Sequence, residues 1–542
     1  MGMSKAEMSR KTFIKMMGVV SAGSAFALAG CGSKRASDAS GSSSTSGTAD
    51  TITFAQGSDP RGLDPAYVDD GESAKIMQNI YENLVMYSDE STDVVPKLAT
   101  DYSISDDGLT YTFSLQQGVK FHDGTDFNAE AVKKCIERQL EGTGRTSDMT
   151  YASFTFGTAS EGNGVKSIET DGDYTVKITL AAASAPFIKN LAMAMAAPIA
   201  SPAVFEKDPT GLMENPVGTG PYKFVSWDKG QNVKLVANDD YWDKDNAPKT
   251  KNIVFRFIAE NASRVTALNN GEADIIDGID DSVVDTIQSA GNSLFTEDGM
   301  NINYMAFNCT SSSVCQDQKV RHALAQAVNV DEMVSSLYGD YASVANSVMP
   351  VWLAPYDEDI KQTEYDPDAA KATLAELGVT SLKCITYSNV RPYNTKGGQV
   401  LAESIQGYFD KVGVSLDITA YDWTTYKTKT TTDPWDVCFY GWTGDNGDPD
   451  NFMNLLADAT PTMNIAQFNN ADYKTLIAKG VATSDENERA DIYKQCEQIV
   501  AEQNPWLLIS HAKNLAGYNP KVSGFVIHPT GVVRLWNAVK TN

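Results

Sequence analysis

The second half of the sequence alternates predicted helices with predicted strands, and this alternation constrains the fold more than any other feature. Asp366-Pro367-Asp368 is typical of a helix start, Gly378 of a helix end, and residues 382–387 of a strand. The order repeats in residues 399–411 and 414–418, and again in residues 486–502 and 506–509. Such an order predicts a largely parallel or mixed sheet covered by helices.

The residues before about position 300 have a different texture, because short strands with period-two alternation dominate them. Residues 109–115, 174–180 and 232–237 are such strands, and residues 128–140 form a predicted helix. We therefore predict an α/β, two-lobed fold, with a large β-rich lobe and an α/β lobe joined by a hinge. The large β-rich lobe comprises residues 51–300 with 512–542, where 524–528 add a strand, and the α/β lobe comprises 301–511.

The N-terminus is typical of an export signal. Four basic residues against one acid precede an apolar stretch at 16–29 that is too short to span a bilayer. Residues 28–31 read Leu-Ala-Gly-Cys and resemble the lipobox of bacterial lipoproteins, which implies lipidation of Cys31 after removal of the leader. Residues 32–50 are a predicted Ser/Gly tether. An ordinary signal peptide with an accidental cysteine is the alternative, and Sec and Tat export both stay open.

The charge of the chain excludes one class of partner. The net charge is −26, and the leader is itself basic, so the remaining chain is more acidic still. Such a chain is repelled by nucleic acid, and we predict no nucleic-acid partner. Contact with the membrane is expected only through the lipid on Cys31, at the outer face of the cytoplasmic membrane, on the cell surface or in the periplasm.

The sequence contains no recognisable catalytic or metal-binding motif. None of the four histidines is spaced for zinc, and no nucleophile elbow, Walker loop or dinucleotide fingerprint occurs. The acidic segment 441–450 fails the calcium-loop spacing. We therefore expect no enzymatic activity, no cofactor and no metal. Of the cysteines after Cys31, Cys309 and Cys315 could close a small disulfide, and the other four are predicted buried thiols.

Four segments in order resemble the large extracytoplasmic solute-binding proteins of the peptide, oligopeptide and nickel family. They are residues 94–99 with 115–124, 216–222, 319–329 and 442–450. Residues 390–394 and 441–452 are similar specifically to the dipeptide-binding branch. The resemblance implies the two-lobed periplasmic-binding-protein-like fold. It also implies capture of short peptides, most of all dipeptides, and delivery to the permease of an ABC transporter.

The resemblance also implies the ligand-binding residues. Arg391 matches the arginine that holds the ligand carboxylate, and Asp445 matches the aspartate that holds its α-ammonium. This pairing is physically sound, because enclosing a zwitterion is costly unless each charge is paired, and the planar guanidinium suits a carboxylate. Both residues follow predicted strands, at 382–387 and 437–440. Further predicted ligand-binding residues are Trp442, Tyr393, Thr443, Gly444 and, less directly, Ser58.

Other ligands on the same scaffold stay open at this point. Relatives with similar clefts take glutathione, haem or a chelated nickel, and His511 near the hinge is the candidate nickel ligand. A secreted hydrolase is the less favoured alternative of another class. Asp448 and Asp450 are interpreted as residues that structure the loop. We expect a monomer, and the sequence does not specify the peptide side chains, the affinity or the permease.

Overall fold

The strands of the computed structural model form one twelve-stranded sheet, one four-stranded sheet and three two-stranded pairs within the residues it describes. Those residues are 49–140, 150–157, 164–353, 355–356 and 359–541, so the predicted leader, Cys31 and nearly all of the tether lie outside them. The strands are β1 Thr51–Gln56, β2 Val85–Tyr87, β3 Val94–Pro96, β4 Ala99–Ile104, β5 Thr110–Leu115, β6 Val165–Thr170, β7 Thr175–Leu180, β8 Tyr222–Asp228, β9 Asn232–Ala237, β10 Asn252–Phe257, β11 Ile275–Ile276, β12 Ser293–Asp298, β13 Asn301–Phe307, β14 Ala342–Val344, β15 Ser381–Tyr387, β16 Ser415–Tyr421, β17 Val437–Thr443, β18 Trp506–Tyr518, β19 Val522–Ser523, β20 Val526–Ile527, β21 Val533–Arg534 and β22 Val539–Lys540.

The helices of the described part confirm the helical segments expected from the sequence. Asp366 caps α10 by accepting a hydrogen bond from the Ala369 amide, and Gly378 follows the helix with a φ of 69°. The α-helices are α1 Gly71–Met77, α2 Ala129–Leu140, α3 Thr150–Phe156, α4 Phe187–Asn190, α5 Pro202–Phe205, α6 Asn261–Asn269, α7 Val284–Ser289, α8 Gln318–Gln326, α9 Val330–Tyr338, α10 Pro367–Glu376, α11 Gly398–Lys411, α12 Trp423–Thr432, α13 Asp450–Met453, α14 Ala471–Ala482 and α15 Glu486–Gln503; short 3₁₀ turns lie at Gly211–Met213, Lys244–Asn246, Asp281–Val283, Val314–Gln316, Gly339–Tyr341 and Asn454–Leu456.

The large sheet is mixed and runs through both halves of the chain. Its order is β16-β15-β17-β13-β18-β11-β1-β10-β9-β8, with β12 and β14 also paired to β18. The pairs β16–β15 and β15–β17 are parallel, whereas β17–β13 and β13–β18 are antiparallel. The first part of β18 pairs with β13, and its last part pairs with β11 and β12. The strand β18 therefore belongs to both halves of the large sheet.

The buried apolar residues form two large clusters that follow the same division of the chain. One cluster comprises residues between 52 and 275 with others between 516 and 538, and the second comprises residues between 300 and 509. A small third cluster around α6 and β11 includes Leu515. The lobe boundaries at 300 and 511 stay a prediction, which these clusters support.

Among the described residues, none of the helices combines the length and the apolar character that a membrane span needs.

Two smaller expectations from the sequence concern residues 524–528 and the cysteines. Residues 524–528 include the expected strand, β20, which pairs with β21 within residues 512–542 and lies between Gly524 and Gly531, both with positive φ. The possible disulfide between Cys309 and Cys315 is absent, and both residues are free thiols. Cys315 is buried and Cys309 half-buried, and burial raises the pKa of Cys309 to about 11.

Candidate functional site

The loop that follows β17 is organised around the side chain of Asn451. Its Oδ1 accepts hydrogen bonds of 2.9 Å from the Trp442 indole nitrogen and from the Asp445 amide. Its Nδ2 in turn donates to Asp445 Oδ2 at 3.3 Å. Because Asn451 lies in the first turn of α13, this helix fixes both the indole ring and the carboxylate.

A cavity of about 460 Å³ opens beside this loop and includes two of the predicted ligand-binding residues, Trp442 and Asp445. Three of its residues belong to the first half of the chain, and the others lie in β17 or between Asp445 and Met463. The cavity is lined by Asp69, Tyr151, Phe154, Trp442, Asp445, Asp450, Asn451, Asn454, Leu455, Asp458 and Met463. Its volume lies in the range typical of small-molecule sites.

Asp445 is a half-buried residue whose carboxylate contacts both halves of the chain. The hydroxyl of Tyr151 donates a hydrogen bond to Asp445 Oδ1, across 294 positions of sequence. Burial raises the pKa of Asp445, and the hydrogen bonds from Tyr151 and Asn451 oppose this shift by stabilising the charged form. An ammonium group that entered the cavity would stabilise the ionised carboxylate further.

Asp450 is a second carboxylate of the cavity, which the sequence analysis interpreted as a residue that structures the loop. Its Oδ1 is buried and has no hydrogen-bond partner among the described residues. Burial and the neighbouring Asp448 together raise the pKa of Asp450 to about 7, against the opposing effect of Arg489. Acids in the segment 441–450 are evident in the sequence, but nothing there shows which of them faces the cavity.

Asp448, in contrast, stabilises the loop. It is fully buried, and its two oxygens accept hydrogen bonds of 2.5 and 2.6 Å from the two terminal nitrogens of Arg489 on α15. Burial opposes ionisation, but Arg489 prevails and lowers the pKa of Asp448. Asp448 also accepts a hydrogen bond from the amide of Asp450, so this ion pair positions the start of α13.

Arg391 and Tyr393 lie on the loop after β15 and do not line the cavity, as far as the described residues define it. The Arg391 guanidinium lies 4.0 Å from the centre of the Trp423 ring, and its Nε is buried without a hydrogen-bond partner in the described part of the chain. The ring of Tyr393 packs against the backbone of Gly441, leaving no space for a side chain there. The loop of Arg391 thus lies against β17, directly before Trp442.

The remaining predicted ligand-binding residues do not line the cavity, within the residues described. Thr443 is exposed at the end of β17, and the Gly444 amide donates to the Met300 carbonyl oxygen at 2.8 Å. Ser58 is exposed, and its carbonyl oxygen accepts a hydrogen bond from Gln56. Their proposed contacts with a ligand stay predictions.

The loop after β17 also makes polar contacts with the first half of the chain. Lys189 Nζ and Thr92 Oγ1 donate to the Gly447 carbonyl oxygen at 2.6 and 3.2 Å, respectively. The side-chain nitrogen of Asn446 also donates a hydrogen bond to the side-chain oxygen of Asn190. These contacts are invisible in the sequence, because they depend on how the two halves meet.

His511 is a buried residue of β18. Its Nδ1 donates to the Asn301 carbonyl oxygen at 2.6 Å, and its Nε2 is buried without a partner among the described residues. Burial lowers the pKa of His511 to about 4, so the ring is neutral at pH 7. The described residues hold no group of three or more metal-ligating side chains, around His511 or elsewhere.

Comparisons with known proteins agree with this architecture. A family model described as "Bacterial extracellular solute-binding proteins, family 5 Middle" matches residues 93–464. The chain is 31% identical to heme-binding protein A of Haemophilus influenzae over 506 residues, which cover 89% of this chain and 90% of that protein. It is 30% identical to the dipeptide-binding protein of Escherichia coli K12, over 89% and 93% of the two chains. The solved structure of the periplasmic binding protein DppA from Helicobacter pylori in complex with peptide STSA is also similar, with a TM-score of 0.72, 30% identity and coverage of 91% and 98%.

Proposed function

Because the chain belongs to the family of bacterial extracellular solute-binding proteins, family 5, we propose that it captures short peptides, preferentially dipeptides, and delivers them to an ABC import permease. The observation that carries this proposal is the half-buried Asp445 carboxylate, held by Asn451 and Tyr151 at the wall of a cavity. A carboxylate that lines a cavity in this way suits the α-ammonium group of a peptide. The names of two relatives, which refer to a dipeptide and to a bound peptide, support the same ligand class.

Arg391 is the proposed partner of the peptide carboxylate. No acidic side chain of the described residues forms an ion pair with it, and the Trp423 ring below the guanidinium orients its plane. A peptide with both charges paired avoids the desolvation penalty that an unpaired charge would suffer on enclosure. A longer peptide would leave one charge unpaired, which favours dipeptides.

Transport requires binding and release, so the proposal includes closure of the two lobes about the hinge and no catalysis. The contacts of Tyr151, Thr92 and Lys189 with the loop after β17 support closure, since they join the lobes around the cavity. The chain would act as a monomer, tethered through a lipid on Cys31 at the outer face of the membrane. The basic leader and the Ser/Gly tether that the sequence predicts both support this location.

Haem is the second candidate ligand, because one relative at 31% identity is named for it. The aspartates that line the cavity argue against haem and glutathione, whose carboxylates they would repel. His511 is unsuited to axial or nickel coordination, since it is buried within β18.

The proposal is tested by titration calorimetry on residues 32–542, which include every residue that the structure describes. We expect Ala-Phe to bind, and N-acetylation or C-amidation to weaken binding by about 2 kcal/mol or more, since each leaves a buried charge unpaired. Asp445→Asn and Arg391→Met should weaken Ala-Phe to a similar extent, whereas Asp410→Asn, at an exposed position of α11, should not.

The same titrations include a tetrapeptide, glutathione and haem. Equal affinity for the tetrapeptide would contradict the preference for dipeptides. Binding of haem or glutathione, without binding of any peptide, would contradict the proposal of a peptide ligand. It would leave the membership of the family unaffected.

A further inference from the structure

The cavity beside Asp445 is strongly acidic. Asp69, Asp445, Asp450 and Asp458 line it, and no lysine, arginine or histidine side chain does so in the described part of the chain. Building on the proposed function, we infer that this cavity receives the side chain of the first peptide residue and selects a positively charged one. The chain therefore prefers dipeptides that begin with lysine or arginine.

The four carboxylates have different partners. Asp69 forms an ion pair with Arg61, and Asp445 is engaged by Tyr151 and Asn451 and assigned to the α-ammonium group. Two acids are then left for the side chain of the peptide. One is Asp458, whose Oδ1 accepts hydrogen bonds from the Thr460 amide and hydroxyl at 2.7 and 2.6 Å, and the other is Asp450.

Asp450 supplies an observation that is independent of the acidic composition. Its Oδ1 is buried and unpartnered among the described residues, although buried polar atoms are nearly always hydrogen-bonded. A neutral ligand side chain would offer this carboxylate neither a counter-charge nor a hydrogen-bond donor, so Asp450 would stay unpaired or bind a proton. An ammonium or guanidinium group would offer both charge and hydrogen-bond donors.

The apolar part of the wall suits the same side chains. Phe154, Trp442, Leu455 and Met463 line the cavity together with the acids. The methylenes of lysine or arginine can pack on such a surface while the charged end reaches a carboxylate. Because Asp445 lies in this cavity, the residue that carries the α-ammonium group is the one whose side chain enters it.

The experiment compares peptides that differ only in charge, on residues 32–542. The dissociation constant of Lys-Ala should be at least about tenfold lower than that of norleucine-Ala, which has a neutral side chain of similar length. Ala-Lys should have no such advantage over Ala-norleucine, since the second side chain lies outside the cavity. Asp450→Asn and Asp458→Asn, made separately, should each reduce the preference for Lys-Ala, and Asp410→Asn should leave it unchanged.

The outcomes separate this inference from the proposed function. If Ala-Phe binds through Asp445 and Arg391 but Lys-Ala and norleucine-Ala bind equally, the inference is wrong and the proposed function stands. If no peptide binds, both are wrong. A preference for Lys-Ala that survives both substitutions would contradict the assignment to this cavity. Should Asp450→Asn fail to fold, the peptide pairs on the parent chain and Asp458→Asn still decide the matter.

Discussion

At the scale of single residues, three aspartates of one loop have three different environments. Asp448 is paired with Arg489, Asp445 is hydrogen-bonded to Tyr151 and Asn451, and the Oδ1 of Asp450 is unpartnered among the described residues. Because the residue type is the same in each case, the role of each aspartate depends on the cation or hydrogen-bond donor that contacts its carboxylate. Of these three aspartates, Asp445 and Asp450 line the cavity that the described residues form, and Asp448 does not.

The ion pair of Asp448 is expected to stabilise the fold strongly. Asp448→Asn leaves the Arg489 guanidinium buried without its counter-charge, and we expect a loss of about 3–5 kcal/mol of stability. The double variant Asp448→Asn with Arg489→Met removes both charges and should recover part of this loss. The midpoint of thermal unfolding measures both effects, with Asp410→Asn as the control. A midpoint that Asp448→Asn leaves unchanged would contradict the structural role.

At the scale of secondary-structure elements, β17 is longer than the sequence indicated. The expected strand ended at residue 440, whereas β17 continues to Thr443. Successive side chains of a strand alternate in direction, so Trp442 is half-buried at the cavity while Thr443 is exposed. Gly441 lies directly before them, and because it has no side chain the Tyr393 ring packs against the strand there.

We expect Gly441→Ala to disturb the loop that carries Arg391. A β-carbon at this position would overlap the Tyr393 ring, which would have to move together with its neighbours. The expected result is a stability loss of about 1–3 kcal/mol and weaker binding of Ala-Phe, measured by thermal unfolding and calorimetry. Gly407→Ala is the matched control, because nothing lies within 4 Å of a β-carbon there and α11 should gain up to about 1 kcal/mol. Unchanged binding of Ala-Phe by Gly441→Ala would contradict the link between Gly441 and the loop that carries Arg391.

At the scale of the whole molecule, an ion pair links the Arg391 loop to the first half of the chain. Lys396 Nζ lies 2.6 Å from Asp281 Oδ2, and both side chains are largely shielded from solvent. Lys396 follows Arg391 by five positions, and Asp281 lies in a 3₁₀ turn next to α7. In the proposed function, this pair holds the carboxylate-binding loop in place when the lobes are closed.

Breaking this ion pair should weaken the binding of Ala-Phe. For a partly exposed pair we expect Lys396→Met to lower the affinity about fivefold, which corresponds to about 1 kcal/mol. The exchanged pair, Lys396→Asp with Asp281→Lys, should restore part of the affinity. Lys429→Met is the control, because Lys429 pairs with Asp433 within the same lobe. If Lys429→Met and Lys396→Met have the same effect, the pair plays no specific part in closure.

Much of the fold was predictable from local signals in the sequence. The cap of α10 by Asp366, the glycines after α10 and α11, and the alternation in β5, β7 and β9 all depend on residues close in sequence. The resemblance to the dipeptide-binding branch, whose motifs are contiguous, singled out Arg391, Asp445 and Trp442. Asp445 and Trp442 line the cavity, and the ligand contacts of all three stay predictions. Such signals act within a few residues, where backbone geometry and side-chain pattern suffice.

The cavity, in contrast, depended on contacts that no local pattern encodes. Tyr151 reaches Asp445 across 294 positions, and Lys189 and Thr92 meet at one carbonyl oxygen of Gly447. The sequence likewise gave no reason to distinguish Asp450, which lines the cavity, from Asp448, which pairs with Arg489. The energy of a carboxylate depends on burial and on the charges opposite it, and both are set only when distant segments pack together.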